Sequence, residues 1–192
     1  MHAETDPVHP DSLREDTMTA NSPFDSMSLD SLEEVSGELH RRAGVALRRI
    51  GDLRADELIN GGVSPRQQVA GLIATLELAC ISFEALIGQA VPPSARSDRH
   101  PSTIAAVMYG APALTGLLAR LEQDRRMITS LTRHLKPRLS EQLRTAWGAD
   151  SLRHFVVEFM IAEPAKVAQS LEEAIAALEQ LDPRTASGER TA

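Results

Sequence analysis

The stretch from Val69 to Val91 constrains this chain more than any other part of it. At 23 residues it is long enough to cross a bilayer, which takes about 20 predominantly apolar residues. Glu77 and Glu84 interrupt it. Carboxylates are expensive at membrane depth, whereas a helix apolar on most sides is what the middle of a helical bundle looks like. The segment is therefore expected to be a central, buried bundle helix, with no membrane contact. Its start is marked by Ser64-Pro65-Arg66-Gln67: an N-cap serine, proline at the first helical position and glutamine where a capping box needs it. Val69, Ile73, Leu76, Cys80, Phe83 and Ile87 form its main stripe, and Pro92-Pro93 ends it.

The flanking sequence repeats the helical pattern. Leu32, Val35, Leu39, Ala43, Ala46, Ile50 and Leu53 recur at spacings of three and four, predicting a first helix over 31–59. It opens with the overlapping capping boxes Asp30/Glu33 and Ser31/Glu34, is expected to loosen at Gly51, and is closed by Asn60-Gly61-Gly62. A short helix is expected over 102–109. A long amphipathic one from Pro112 carries Leu114, Leu117, Leu121, Ile128 and Leu135, kinks at Pro137 and continues through Leu139, Leu143 and Trp147 to Gly148. Strand and helix compete over 152–161 (LRHFVVEFMI), where periodicity favours the helix. The last helix runs from Glu163-Pro164 to Asp182-Pro183, with Val167, Ala168, Leu171, Ile175, Leu178 and Leu181 inward and Glu172, Glu173 and Glu179 outward.

Only five aromatic side chains besides Trp147 are present, four Phe and Tyr109, while Ala and Leu abound; this balance suits helix packing better than sheet packing. The fold class expected is all-α: an antiparallel helical bundle of about five to seven helices over 28–182, between disordered tails at 1–27 and 183–192. Residues 1–27 combine Pro, Ser, Thr and acids with few large apolar groups, too few to offset the entropy of ordering. Met18 is an alternative start. Cys80 is the only cysteine and no basic-then-apolar leader opens the chain, so a cytoplasmic protein is expected. Arg outnumbers Lys eighteen to two, which points to a GC-rich bacterial genome.

Charge is distributed in blocks. Residues 1–39 sum to −9, residues 40–144 to +6 and residues 145–192 to −4, making the net −7. Within the basic middle, Arg41, Arg42, Arg48 and Arg49 repeat at seven-residue spacing, with Glu38 placed to pair with Arg42. Arg120, Arg125, Arg126, Arg133, Lys136, Arg138 and Arg144 crowd the long helix and are the candidate surface for nucleic acid or an acidic partner. An ordinary solvated helix face has the same look.

Catalytic signatures are not seen: no Gly-rich phosphate loop, nucleophile elbow, His-Glu-x-x-His or pair of Glu-x-x-His motifs. Glu77 and Glu84 share a face about 10 Å apart along the axis, too far to chelate one ion, and are expected at a solvated or arginine-paired edge. Cys80 reads as a buried structural thiol. His154 and Glu158 have a ligating spacing but no third partner, and His40, His100 and His134 stand alone, so no metal or cofactor is expected. The reading that follows is a non-enzymatic bacterial interaction protein, a regulator, adaptor or chaperone-like bundle acting on itself or on a protein partner. The alternatives are a nucleic-acid-associated regulator and a bundle that binds a small ligand or performs catalysis.

Overall fold

The structure, a computed structural model, describes residues 23, 24, 26–58 and 62–181. Most of both expected tails, and Asn60 and Gly61 of the expected turn, lie outside the described residues. Among the described residues the chain is all-α apart from one small hairpin. In order it forms α1 (Leu29–Ile50), α2 (Pro65–Ile87), α3 (Pro101–Gly110), α4 (Leu114–Leu135), β1 (Gln142–Thr145), β2 (Gly148–Ser151), α5 (Leu152–Val157), a π-helical turn (Glu158–Ala162) and α6 (Glu163–Leu181).

Helix α1 begins and ends earlier than its pattern predicts. Its cap is Ser28, in extended conformation, whose hydroxyl accepts the Ser31 amide at 3.1 Å, so the two expected capping boxes fall inside the first turn. Gly51 does not loosen the helix but terminates it: at φ +77° it leaves the helical region while its N–H still reaches the Leu47 carbonyl. Leu53, expected on the inner stripe, is consequently 98 % exposed. Upstream, Phe24 and Met27 belong to the core edge and not to a tail, since both pack on it and the Arg153 guanidinium donates to their carbonyl oxygens.

Helix α2 has the boundary expected of it. Ser64 Oγ accepts the Gln67 amide at 3.2 Å while Gln67 Oε1 accepts the Ser64 amide at 2.9 Å. It is long and apolar enough to cross a membrane, with mean hydropathy 1.8 over its most apolar stretch, and 67 % of that stretch is buried inside the bundle. Ile73, Leu76 and Phe83 are enclosed, and Ile81 and Ile87 reach the surface.

Four long helices make the core. Helices α1 and α2 run in opposite directions, as expected, but they sit diagonally: α1 packs on α4 and α6, and α2 packs on α3, α4 and α6. Side-chain pairs set the directions. Arg42 with Glu172 and Arg49 with Glu179 align α1 and α6 in parallel; Glu77 with Arg120 and Leu86 with Arg138 do the same for α2 and α4. Glu33 with Arg133 at one end, and Asp52 with the Leu114 amide at the other, set α1 antiparallel to α4. Glu172 and Glu179 thus lie at the exposed α1–α6 seam instead of pointing simply outward.

After α4 the expected kinked continuation does not occur. Pro137 sits in a 3-10 turn over Lys136–Arg138, and the chain then forms the antiparallel hairpin β1–β2 with Thr145 opposite Gly148. Gly148, at φ +117°, makes the tight reversal possible. Trp147 still points inward: its ring lies 4.6 Å from that of Phe159 in an edge-on contact, and the Arg96 guanidinium covers it at 5.1 Å. The segment 152–161 is helical, as its periodicity predicts. Helices α5 and α6 join through the wide π turn, placed just before Pro164, which has no N–H to continue an ordinary ladder.

Candidate functional site

Five of the seven basic residues proposed from sequence are paired with acids. Arg120 turns toward α2 and donates to Glu77 at 2.6 Å; Arg133 makes two bonds to Glu33; Arg138 pairs with Glu141 and reaches the Leu86 carbonyl at 2.6 Å. Arg125 and Arg126 share Glu122. Lys136 and Arg144 have no ion pair among the described residues. The sequence pair Glu38–Arg42 is also redistributed: Glu38 binds Arg41 at 2.8 and 2.5 Å, leaving Arg42 to Glu172.

Glu77 occupies an arginine-paired edge and Glu84 is exposed, so the two carboxylates form no joint site. Cys80 is buried, and burial pushes its thiol up to about 12, which leaves it inert. Glu158 is taken by Lys166, and His154 lies 3.7 Å from Asp150. Among the described residues no cluster of three His, Cys, Asp or Glu side chains could hold a metal.

A different set converges. On α1, Gly37, His40, Arg41, Gly44 and Arg48 share one face through spacings of three, four and seven, and α4 faces them with Leu118, Leu121, Glu122 and Arg125. Between the two helices lies a cleft of about 370 Å³. The glycines leave it open. A Cβ on Gly44 would touch the Arg48 guanidinium at 3.5 Å and Leu118 at 3.7 Å, and one on Gly37 would come within 4.0 Å of Arg125.

His40 is the buried member, 7 % exposed. Its Nδ1 donates to the Ser36 carbonyl at 2.8 Å, which fixes the neutral tautomer and leaves Nε2 as a bare lone pair. That Nε2 is fully buried and has no hydrogen-bond partner. Burial, with help from the Arg125 charge, holds the imidazole below its ordinary pKa, against the Ser36 bond and Glu122. Hydrogen bonds from Arg125, and then Arg126, take the Glu122 carboxyl down to about 2. Arg48 makes no hydrogen bond or ion pair among the described residues, although it lines the cleft. Three guanidinium groups and an imidazole therefore line the space; Glu38 holds Arg41 and Glu122 holds Arg125, which leaves Arg48 as the lining cation without an ion pair among the described residues.

Sequence reasoning passed over this site because each part has a common innocent reading: a lone histidine, a solvated arginine repeat, two helical glycines. The available signal was their coincidence on one face. Comparisons with protein-family models, with curated proteins and with solved structures found no match to this chain.

Proposed function

We propose that this chain is a non-enzymatic, cytoplasmic, ligand-responsive bundle whose α1–α4 cleft takes a small oxyanion of the carboxylate or phosphate class. One observation carries the reading: a cleft ringed by Arg41, Arg48 and Arg125, in which the Arg48 guanidinium has no hydrogen bond or ion pair among the described residues. Guanidinium groups suit oxyanions because their planar forks match two oxygens at once. Among the described residues the cleft is lined by no hydroxyl or thiol, which favours binding over turnover.

Titration calorimetry of the full chain with sulfate and with phosphate tests this. Binding is expected with the wild type, and Arg48→Gln is expected to weaken it about tenfold, the loss of one charge-assisted contact of about 1.5 kcal/mol. Stability should be unchanged, since that side chain bonds to nothing else described. Absence of binding by the wild type to both anions would remove the proposal.

Protein–protein contact through helix faces is the second reading. Tyr109 and Val91 are each 90 % exposed, and Ile81 and Met127 add apolar surface on α2 and α4. Sedimentation over a wide concentration range separates a monomer from a self-associating species. A nucleic-acid surface would have to displace the acids that hold Arg120, Arg125, Arg126, Arg133 and Arg138; binding to DNA or RNA at low salt, tightened by deleting 1–27, is its test.

A further inference from the structure

We propose that a second pocket, set between α1 and the α5–α6 junction, binds a small amine with a hydrocarbon body, its cationic end on Glu158. The pocket holds about 250 Å³ and shares no lining residue with the α1–α4 cleft. Leu39 of α1, with Val157 and Ile161 from the other side, lines it with buried side chains. Val35, Ala162 and Ala165 add half-buried walls. Phe24 is held beside them by the Arg153 guanidinium, which donates to its carbonyl oxygen at 2.9 Å. The backbone here is unusual. The π turn supplies Glu158, Ile161 and Ala162 to the lining, and the Glu163 N–H reaches back five residues to the Glu158 carbonyl. Such turns are rare and recur at functional sites.

The lining sets the class of ligand. Seven of the nine lining residues are apolar, which suits a hydrocarbon group oriented by a few polar contacts. An apolar cavity of about 150 Å³ holds benzene, so this one suits a single ring with a short chain, about ten non-hydrogen atoms. The two polar groups are His154 and Glu158, and no Lys or Arg lines the pocket among the described residues. Glu158 Oε1 accepts from Lys166 Nζ at 3.1 Å, while the same ammonium lies 2.8 Å from Glu163 Oε1, so one cation serves two carboxylates. Arg153 is committed to the Phe24 and Met27 carbonyls, and Arg99 acts on Glu163 without an ion pair to it among the described residues. The negative charge left at Glu158 selects a cation over an anion for the polar end, and an ammonium also brings N–H donors to the carboxylate.

Benzylamine, toluene and benzoate are the probes: one ring with a cationic, an apolar and an anionic end at neutral pH, as the side chains of lysine and glutamate are charged there. Each is titrated into the full chain while the methyl resonances of Val35, Leu39, Val157 and Ile161 are followed. Benzylamine and toluene are expected to shift them, and benzylamine to bind about tenfold more tightly than benzoate, the share of one charge-assisted hydrogen bond. Glu158→Gln should erase that preference and leave toluene binding unchanged. Glu173→Gln, which removes the same charge from an exposed position on α6, should keep it. Ala165→Leu should abolish binding of both ligands by filling the pocket; should that variant not fold, the wild-type resonances that move locate the ligand by themselves. Shifts centred elsewhere, or binding by neither benzylamine nor toluene, would overturn the pocket. Benzoate binding as tightly as benzylamine, or a preference that survives Glu158→Gln, would overturn the amine.

Discussion

Asp124 shows how one residue can work against the fold that contains it. It projects from α4 toward α2, is 8 % exposed, and its Oδ2 has no hydrogen-bond partner. Burial, reinforced by the negative charge of Glu77, pushes its carboxyl up to about 7 despite Arg120 nearby. A carboxyl raised in the folded state favours folding at low pH, where both states are protonated; the advantage is lost as pH climbs from the unfolded value near 3.8 through about 7. Above that range the folded chain carries a poorly solvated anion. Asp124→Asn is therefore expected to become increasingly stabilising from pH 5 to pH 8, reaching the order of 1–3 kcal/mol. Urea melts at the two pH values check it, and an advantage that does not grow with pH would show that Asp124 titrates normally. Nothing in the sequence singles this residue out, because Asp124 lies between Gln123 and Arg125 on a helix whose inner face could be read only from its leucines.

At the scale of elements, what was legible is what local chemistry decides. The capping box at Ser64–Gln67 is made by four consecutive residues, and it forms as written. The hairpin was not legible, because Leu139, Leu143 and Trp147 are spaced by four and satisfy a helical period equally well. Two four-residue strands are too short for alternation to outvote that spacing. What decides is tertiary: Trp147 finds Phe159 and Arg96, and Gly148 takes a conformation closed to other residues. The central position of α2 yields a direct contrast between elements. Leu76 is enclosed between neighbouring helices, so Leu76→Ala should cost about 2–5 kcal/mol. Glu172→Ala on α6 removes an exposed pair with Arg42 and should cost no more than about 1 kcal/mol. Equal effects of the two in a denaturant melt would mean that α2 is not the core of the bundle.

The arrangement of the whole molecule was the least legible, and the cleft depends on it. That α1 would be helical and amphipathic follows from its own residues. That it lies antiparallel to α4, with α2 diagonal to it, depends on pairings such as Glu33–Arg133 and Asp52–Leu114, which join residues 100 and 62 positions apart. Only this packing buries His40 and sets Arg125 opposite Arg48. It also makes the cleft a property of the folded state alone, since an unfolded chain has no means of holding residues of α1 and α4 together. A ligand that binds only the folded chain raises its unfolding free energy, by about 2.7 kcal/mol at a hundred times its dissociation constant. For a domain of this size that amounts to a rise in melting temperature of roughly 5–10 °C. Sulfate also stabilises folded proteins generally by exclusion from their surface, so the wild-type shift alone decides little. The general effect is common to wild type and Arg48→Gln, because an exposed single substitution scarcely changes the surface from which the salt is excluded. Their difference isolates the cleft. In thermal melts across a sulfate series, the wild type should gain several degrees more than Arg48→Gln, with the excess levelling off as the site saturates while the shared component continues to climb. Parallel curves for the two proteins would assign all of sulfate's stabilisation to the solvent and none to the space between α1 and α4.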